Sequence, residues 1–378
     1  MNAGVYVHIP FCRSKCHYCD FFSIVADEDE ITRTVNSLIK EIGLCARDHE
    51  YRVQTVYFGG GTPTILSIYQ IKMLVSSLFN SLDCSDLEEM TIECNPETVD
   101  PKKLSQLRRM GFNRISIGFQ SLNDDALSLL GRRHDSRTAI NSFRAAGAGF
   151  ENIGVDLIYG IPGESVQDFL RSLEDVISLE PKSISLYHLT PKAGTGLSKM
   201  IASSLVEMPS DEMVCEQYYS ANYMLGAHGY VCYEVSNFAR PGFECRHNLN
   251  YWRRRPYFGF GPSACSFNDR TRRKNFADLK VYNDAISKGL LPVEYEESLS
   301  EREIIFEEIY LALRTAEGLD LSMLGDEPMI DLEKLYGTVN YLSENGYLNV
   351  SDGRIAVDSK FRLLTDGLVL EILDSIKS

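Results

Sequence analysis

Three thiols lie on one short stretch of this chain, Cys12, Cys16 and Cys19, in the spacing C-x3-C-x2-C. Thiolates this close on one loop can converge on a single soft metal centre. Three are too few to close a structural zinc site, which takes four ligands, or to ligate every iron of an iron–sulfur cube. The shortage leaves one coordination position for an exchangeable ligand. Taken alone, the triplet also fits a zinc site completed by His17, or chance clustering. The other cysteines among the ten, including Cys45, Cys84, Cys94, Cys215, Cys232 and Cys245, are not spaced as ligand pairs.

Further along, Gly59-Gly60-Gly61-Thr62-Pro63 follows an apolar run, where backbone bare of side chains lets a ligand approach closely. The bland alternative is an ordinary strand-to-helix turn. Glu93, Gln120 and Asp156 each stand at the end of, or within, a β-branched run, and Arg132 lies in Leu130-Gly131-Arg132-Arg133-His134. Single polar residues of this kind are usually caps or solvated groups. Four of them at successive strand ends weigh against that. His247-Asn248-Leu249-Asn250-Tyr251-Trp252, followed by Arg253, Arg254 and Arg255, is another constellation. Its imidazole can ligate heme iron, Tyr251 and Trp252 can stack on a porphyrin face, and the arginines can pair with propionates. The residues alone favour a partly buried turn, with the histidine capping a carbonyl, Trp252 as packing anchor and the arginines solvated.

These residues need elements to place them. Val5–Ile9, Val53–Phe58, Met90–Glu93, Arg114–Phe119, Val155–Tyr159 and Ser183–His188 read as strands. Each is followed by a helical stretch, from Glu28 to Cys45, through Leu74 and Leu78, Asp100–Arg109, through Asn141 and Ala146, Ser165–Leu179, and Asp211–Ala227. Six such repeats build a parallel sheet, expected here as an incomplete (β/α)6 barrel whose active site collects at the C-terminal strand ends. The boundaries expected are a barrel over residues 1–235, an aromatic and basic extension over 236–298 with a helix after Phe276, and a C-terminal appendage over 299–378. The appendage opens on a capping box, Ser300 with Glu303, and has a helix over Leu332–Asn345 stopped by Gly346. A hairpin around Asp352-Gly353 completes a winged-helix-like pattern.

Composition limits the function. With 38 basic and 53 acidic residues the net charge is −15, which repels phosphate backbones and argues for a docking role of the winged appendage over DNA binding. No apolar run approaches the ~20 residues that span a bilayer. The first residues carry no signal-peptide pattern, so a cytoplasmic protein is expected, where clustered thiols mean metal or redox chemistry.

The cysteine triplet, the glycine motif and the polar strand ends resemble the radical S-adenosylmethionine enzymes. That resemblance implies a [4Fe-4S] cluster on Cys12, Cys16 and Cys19, with S-adenosylmethionine on the open iron. It also implies Tyr6, Gly60, Gly61, Thr62, Glu93, Gln120, Arg132 and Asp156 around the nucleoside and methionine. Over the whole chain the sequence is similar to the branch containing oxygen-independent coproporphyrinogen III dehydrogenase and the HemW-type heme chaperones. The dehydrogenase carries a fourth cysteine where this chain has Phe21, and a long extension where only eleven residues precede Cys12. Both departures, and the H-N-x-x-Y-W match, point to the chaperones. The implied reading is heme binding near His247, Tyr251 and Trp252, between barrel top and appendage, and delivery to a hemoprotein. An electron donor such as flavodoxin or ferredoxin, and work in the cytoplasm at the inner face of the membrane, are further implications. The rivals are porphyrinogen decarboxylation and radical chemistry on another small molecule. One position departs from the chaperone group: Cys265 stands where histidine is usual. A thiolate there could ligate iron, though a small buried thiol is the simpler reading.

Overall fold

The computed structural model describes residues 2–45, 51–324 and 329–374. Six parallel strands run in sequence order, β1 (Asn2–Ile9), β2 (Arg52–Gly60), β3 (Glu89–Cys94), β4 (Arg114–Gln120), β5 (Asn152–Tyr159) and β6 (Ser183–His188). Between them lie α1 (Glu28–Cys45), α2 (Ile68–Ser81), α3 (Pro101–Arg109), α4 (Asp124–Leu129), α5 (Ser136–Gly147) and α6 (Val166–Ser178). After β6 come α7 (Gly196–Ala202) and α8 (Asp211–Ala227). The crossovers have the form expected for buried parallel strands, whose outer residues pack under the helices. On β1, Val5, Val7 and Ile9 are fully buried in the same core as Leu38 and Ile42 of α1, while Tyr6 and His8 turn to the inner face. Asparagine, aspartate or serine caps the helices after β3, β4 and β5, which fixes where each loop ends.

The expected barrel is present and larger than six strands. A hairpin of β7 (Val231–Glu234) and β8 (Asn237–Ala239) adds antiparallel to β6. On the other edge, β9 (Tyr257–Phe260) adds parallel to β1 after the short α9 (Arg246–Trp252). Beyond it lie β10 (Cys265–Asn268), β11 (Thr271–Asn275) and, after α10 (Leu279–Ser287), β12 (Val293–Ser298), all antiparallel. The extension therefore shares the barrel's sheet. Among the described residues the two outer strands, β12 and β7, do not pair, so the barrel stays open.

The appendage has its own core. The capping box forms as read, with the Ser300 hydroxyl accepting from Glu303 N and the Glu303 carboxylate accepting from Ser300 N at 2.8 Å, and opens α11 (Glu301–Ala312). A short strand β13 (Leu319–Asp320), α12 (Leu332–Glu344), the hairpin β14 (Leu348–Ser351) and β15 (Arg354–Val357), and α13 (Thr365–Leu373) complete it. Asp352 and Gly353 take φ of 50° and 77°, the left-handed pair that a two-residue primed turn requires. The appendage docks through side chains of the extension. Arg253 pairs with Glu317, and Arg254 and Arg272 pair with Glu307 of α11. Ala316 N also donates to Tyr233 O at 2.9 Å.

Candidate functional site

The loop leaving β1 is tied down at both ends. Cys12 N donates to Ile24 O at 2.9 Å and Ile24 N to Pro10 O at 2.8 Å, which closes the loop onto its own base. Inside it, Lys15 donates to Phe21 O at 2.5 Å and to the Ser23 hydroxyl at 2.9 Å. His17 N donates to Leu130 O at 3.0 Å, and its ring Nδ1 is bonded to Leu129 O at 2.8 Å. Gly61 N donates to Ile9 O and Thr62 N to Phe11 O, both at 2.8 Å, so the glycine motif is the strut against which the loop is laid. A Cβ on Gly61 would stand 2.6 Å from Phe11 O. One on Gly60, whose φ is 109°, would stand 2.6 Å from the His8 ring. The glycines allow this close backbone approach.

Cys12, Cys16 and Cys19 open on one cavity of about 390 Å³ at the C-terminal ends of the strands. Gly60, Gly61, Thr62, Glu93, Gln120, Arg132 and Asp156, all assigned from sequence, line the same cavity. Their placement has local causes. A register shift between Gly118 and Gln120 on the β4–β5 ladder, with Gln120 at φ 69°, turns that side chain into the cavity. Glu93 accepts from the Tyr57 hydroxyl at 2.7 Å and from Gly60 N at 3.2 Å, and burial pushes its carboxyl up to about 7. Asp156 accepts from the Ser116 hydroxyl at 3.1 Å and is likewise raised by burial. Arg132 donates to Asn95 Oδ1 at 2.7 Å, Gly118 O at 3.0 Å and Cys16 Sγ at 3.5 Å. Its buried Nε has no partner among the described residues.

Two residues were missed from sequence. Asn95 links Arg132 to the Thr62 hydroxyl, to which it donates at 3.0 Å. It sits just past β3, where a polar residue at a strand end was the available signal. Phe21, at the fourth-cysteine position, lines the cavity as well, a role that its residue type does not signal.

Three free thiols on one cavity, with the Arg132 guanidinium donating to Cys16 Sγ, fit a cluster that takes one thiolate on each of three irons. Burial raises the Cys12 and Cys19 thiols in the metal-free chain, so binding releases their protons.

Other expected residues meet a different geometry. Tyr6 stands beside Gly59 and Glu93, where a Cβ on Gly59 would lie 3.0 Å from its ring and 3.1 Å from the Glu93 carboxylate. Its hydroxyl bonds His8 Nδ1 at 3.1 Å, and its ring faces a neighbouring cavity of about 420 Å³. The reason is its place on β1, several residues below the strand's C-terminal end. His247 is not open to a heme iron. It is 1% exposed, with Nδ1 bonded to the Thr55 hydroxyl at 2.9 Å and Nε2 to the Tyr251 hydroxyl at 2.8 Å. Its ring stacks on Tyr57 at 5.1 Å, and burial lowers its pKa to about 3, so it stays neutral. Trp252 lines neither cavity. Arg253 and Arg254 are held by appendage carboxylates, where a sequence reading gave them to propionates or solvent.

The neighbouring cavity lies between barrel and appendage. Tyr6, Tyr251, Tyr257, Phe22 and Phe267 form its apolar walls, Arg254 and Arg272 its basic edge, and Glu307 and Leu311 of α11 its far side. Phe21 lines both cavities.

The radical SAM superfamily model matches residues 6–176, and the HemN C-terminal domain model matches residues 299–364. The heme chaperone HemW of Bacillus subtilis is 34% identical over 365 residues, covering 96% of this chain and 96% of that protein. HemW of Mycobacterium tuberculosis is 32% identical over 375 residues, 98% of this chain and 94% of its own. A mitochondrial radical S-adenosyl methionine domain-containing protein 1 of Danio rerio is 31% identical over 394 residues, with coverages of 100% and 86%. Among solved structures, the coproporphyrinogen III oxidase HemN of Escherichia coli matches with a TM-score of 0.84 at 24% identity, over 98% of this chain and 89% of that one. At that identity the likeness concerns the fold.

Proposed function

Since this chain belongs to the radical SAM superfamily and, within it, to the HemW family, we propose that it is a heme chaperone, binding heme and passing it to hemoproteins. The observation that carries the reading is similarity to HemW proteins along nearly the whole of both chains. The protein carries a [4Fe-4S] cluster and S-adenosylmethionine, the cofactors of its superfamily; bound there, the cluster supplies a one-electron reductant next to a sulfonium nucleotide.

Cys12, Cys16 and Cys19 hold the cluster. Arg132, beside Cys16, offsets its negative charge, and Asn95 keeps that guanidinium aimed. Glu93 accepts from the methionine ammonium once its carboxyl is ionised. Gly60 and Gly61 leave room for the backbone-side contacts, and Gln120 and Asp156 face the nucleoside. Heme occupies the second cavity, whose size lies in the ~300–1,000 Å³ range of ligand pockets. Its aromatic walls suit a porphyrin face, and Arg254 and Arg272 suit propionates, in competition with Glu307. A flavodoxin- or ferredoxin-type donor reduces the cluster. No described helix is long and apolar enough to cross a membrane, and the place of action is the cytoplasm, at the inner membrane face.

The test uses anaerobically reconstituted protein. Hemin is titrated in and the Soret band followed, and the loaded protein is then mixed with an apo-hemoprotein. Binding followed by transfer is expected. Conversion of coproporphyrinogen III to protoporphyrinogen under reducing conditions, without heme transfer, would replace this reading with the dehydrogenase.

A further inference from the structure

Resting on the heme-chaperone reading, we propose that Cys265 is the residue of the second cavity that ligates the iron of bound heme, as a thiolate. Six side chains on that cavity carry a donor atom suited to iron: Tyr6, His8, Tyr251, Tyr257, Cys265 and Glu307. Five of them are spent or unsuited. His8 has both ring nitrogens bonded, Nδ1 to the Tyr6 hydroxyl at 3.1 Å and Nε2 to Phe22 O at 2.9 Å. The Tyr251 hydroxyl is bonded to His247, and Glu307 accepts from Arg254 at 3.1 Å and Arg272 at 2.5 Å. Burial raises all three tyrosines, Tyr257 to about 12, so none ionises near neutral pH.

Cys265 differs in offering a soft sulfur donor. Its thiol is free and half-buried on the cavity wall. Burial raises its pKa, while Lys274, its cross-strand partner, and Arg272 act in the opposite direction. Tyr6, Tyr251 and Tyr257 line the same cavity as Cys265, so the sulfur shares it with the aromatic walls that would flank a porphyrin.

Its backbone is also fixed. A Cβ on Gly259 would stand 2.0 Å from Cys265 O, so β10 is pressed against β9 where only glycine permits it. Ser266 reinforces the contact, its hydroxyl accepting from Gly259 N at 2.9 Å. The ligand is thus placed before heme arrives. On binding ferric heme, the thiol gives up its proton to solvent through the open mouth of the cavity. The sulfur donates an electron pair to iron, displacing water or chloride, and no oxidation state changes.

The test is spectroscopic, on the cluster-loaded full chain. Hemin is added with the cluster oxidised and silent in electron paramagnetic resonance, and the low-spin ferric heme spectrum is recorded. The reduced carbonmonoxide complex is then examined for the strongly red-shifted Soret band of thiolate ligation. The wild type and Cys215→Ser, an exposed thiol on α8, should show both signatures. Cys265→Ser should lose them and bind heme at least tenfold more weakly, and Cys265→His should give an imidazole-type spectrum in the same cavity. Cluster content and circular dichroism establish that the variants fold. Wild-type heme binding without the thiolate signature, or a signature that survives Cys265→Ser, overturns the assignment and leaves the chaperone reading standing. Absence of any heme binding by wild type overturns both.

Discussion

Gly61→Ala tests whether the glycine motif is the strut of the cluster loop. Gly61 is not in the left-handed region, so alanine meets no backbone penalty there and the effect is steric. The new methyl would lie 2.6 Å from Phe11 O, 2.9 Å from Phe11 N and 3.0 Å from Ile9 O, backbone atoms that no side-chain rotation can move aside. Relieving the overlap separates β2 from the loop at the point where Gly61 N and Thr62 N donate across at 2.8 Å. Overpacking costs about 1–3 kcal/mol, and each weakened hydrogen bond adds about 0.5–1.5 kcal/mol. The sum over the two bonds, about 2–6 kcal/mol, lies for most of its range below the ~5–15 kcal/mol stability of a typical domain, so the chain folds while the loop is displaced. At the low end the displaced loop gains about thirtyfold in population. The assay is iron and sulfide per chain after anaerobic reconstitution, with electron paramagnetic resonance of the reduced cluster with and without S-adenosylmethionine. Gly61→Ala should lose most of its cluster. Gly337→Ala, exposed in the middle of α12 with open space around the added methyl, should keep it and stabilise the appendage by about 0.5–1 kcal/mol. Full wild-type iron and an unchanged spectral response in Gly61→Ala would refute the strut.

Three other outcomes follow from the site. Glu93, with its carboxyl near 7, must be ionised to accept from an ammonium, so S-adenosylmethionine affinity should fall about tenfold per pH unit below about 7 and level off above it. Isothermal titration should find Glu93→Gln at least tenfold weaker and without this pH dependence; a flat wild-type profile refutes the assignment. His247→Ala should leave heme ligation intact while destabilising the protein by about 3 kcal/mol, because a buried ring is removed and the Thr55 and Tyr251 hydroxyls lose a partner. A lost Soret band with an unchanged melting temperature would restore the histidine as ligand. Glu307→Gln removes the carboxylate that Arg254 and Arg272 share, leaving Arg254 to Glu308 and Asp269 O and Arg272 to Glu297, and should tighten heme binding several-fold, read by competition with an apo-hemoprotein; weaker binding with the appendage still docked removes the arginines from propionate recognition.

The parallel part of the fold was legible because strands buried on both faces are continuous β-branched runs, each followed by a longer helical stretch, as those that open at Asp100 and Ser165. The outer strands were not. Thr271–Asn275 is wholly polar, and what holds it to Val293–Ser298 is cross-strand charge pairing, Arg273 with Glu296 at 2.5 Å and Arg272 with Glu297 at 3.2 Å. A reading that follows apolar alternation passes over such a ladder. The cluster cavity was legible because its residues recur at equivalent strand ends. The state of His247 was not, since its partners Thr55 and Tyr57 lie some 190 positions away and only the β1–β2 register brings them under α9. Tyr6 shares the inner face with the cluster residues, and its depth along β1 puts it beside Glu93 and also on the wall of the other cavity.

That two cavities share a wall gives the molecule a way to connect its cofactor to its cargo. The loop that carries Cys12, Cys16 and Cys19 on one side presents Phe21 to both cavities and Phe22 to the second, with Phe21 itself 64% exposed. Phe22 O is bonded to His8, and His8 in turn fills the space that a Cβ on Gly60 would need. Any shift of the loop or of the glycine motif on filling the first cavity therefore moves side chains that bound heme would touch. Coupling of this kind is reciprocal: if S-adenosylmethionine changes heme affinity by some factor, heme changes S-adenosylmethionine affinity by the same one. A fourth cysteine at position 21 would tie that residue to cluster chemistry, whereas phenylalanine leaves it free to follow the contents of both cavities. With heme in the second cavity, as proposed, such a coupling would let the contents of the cluster cavity alter how tightly heme is held.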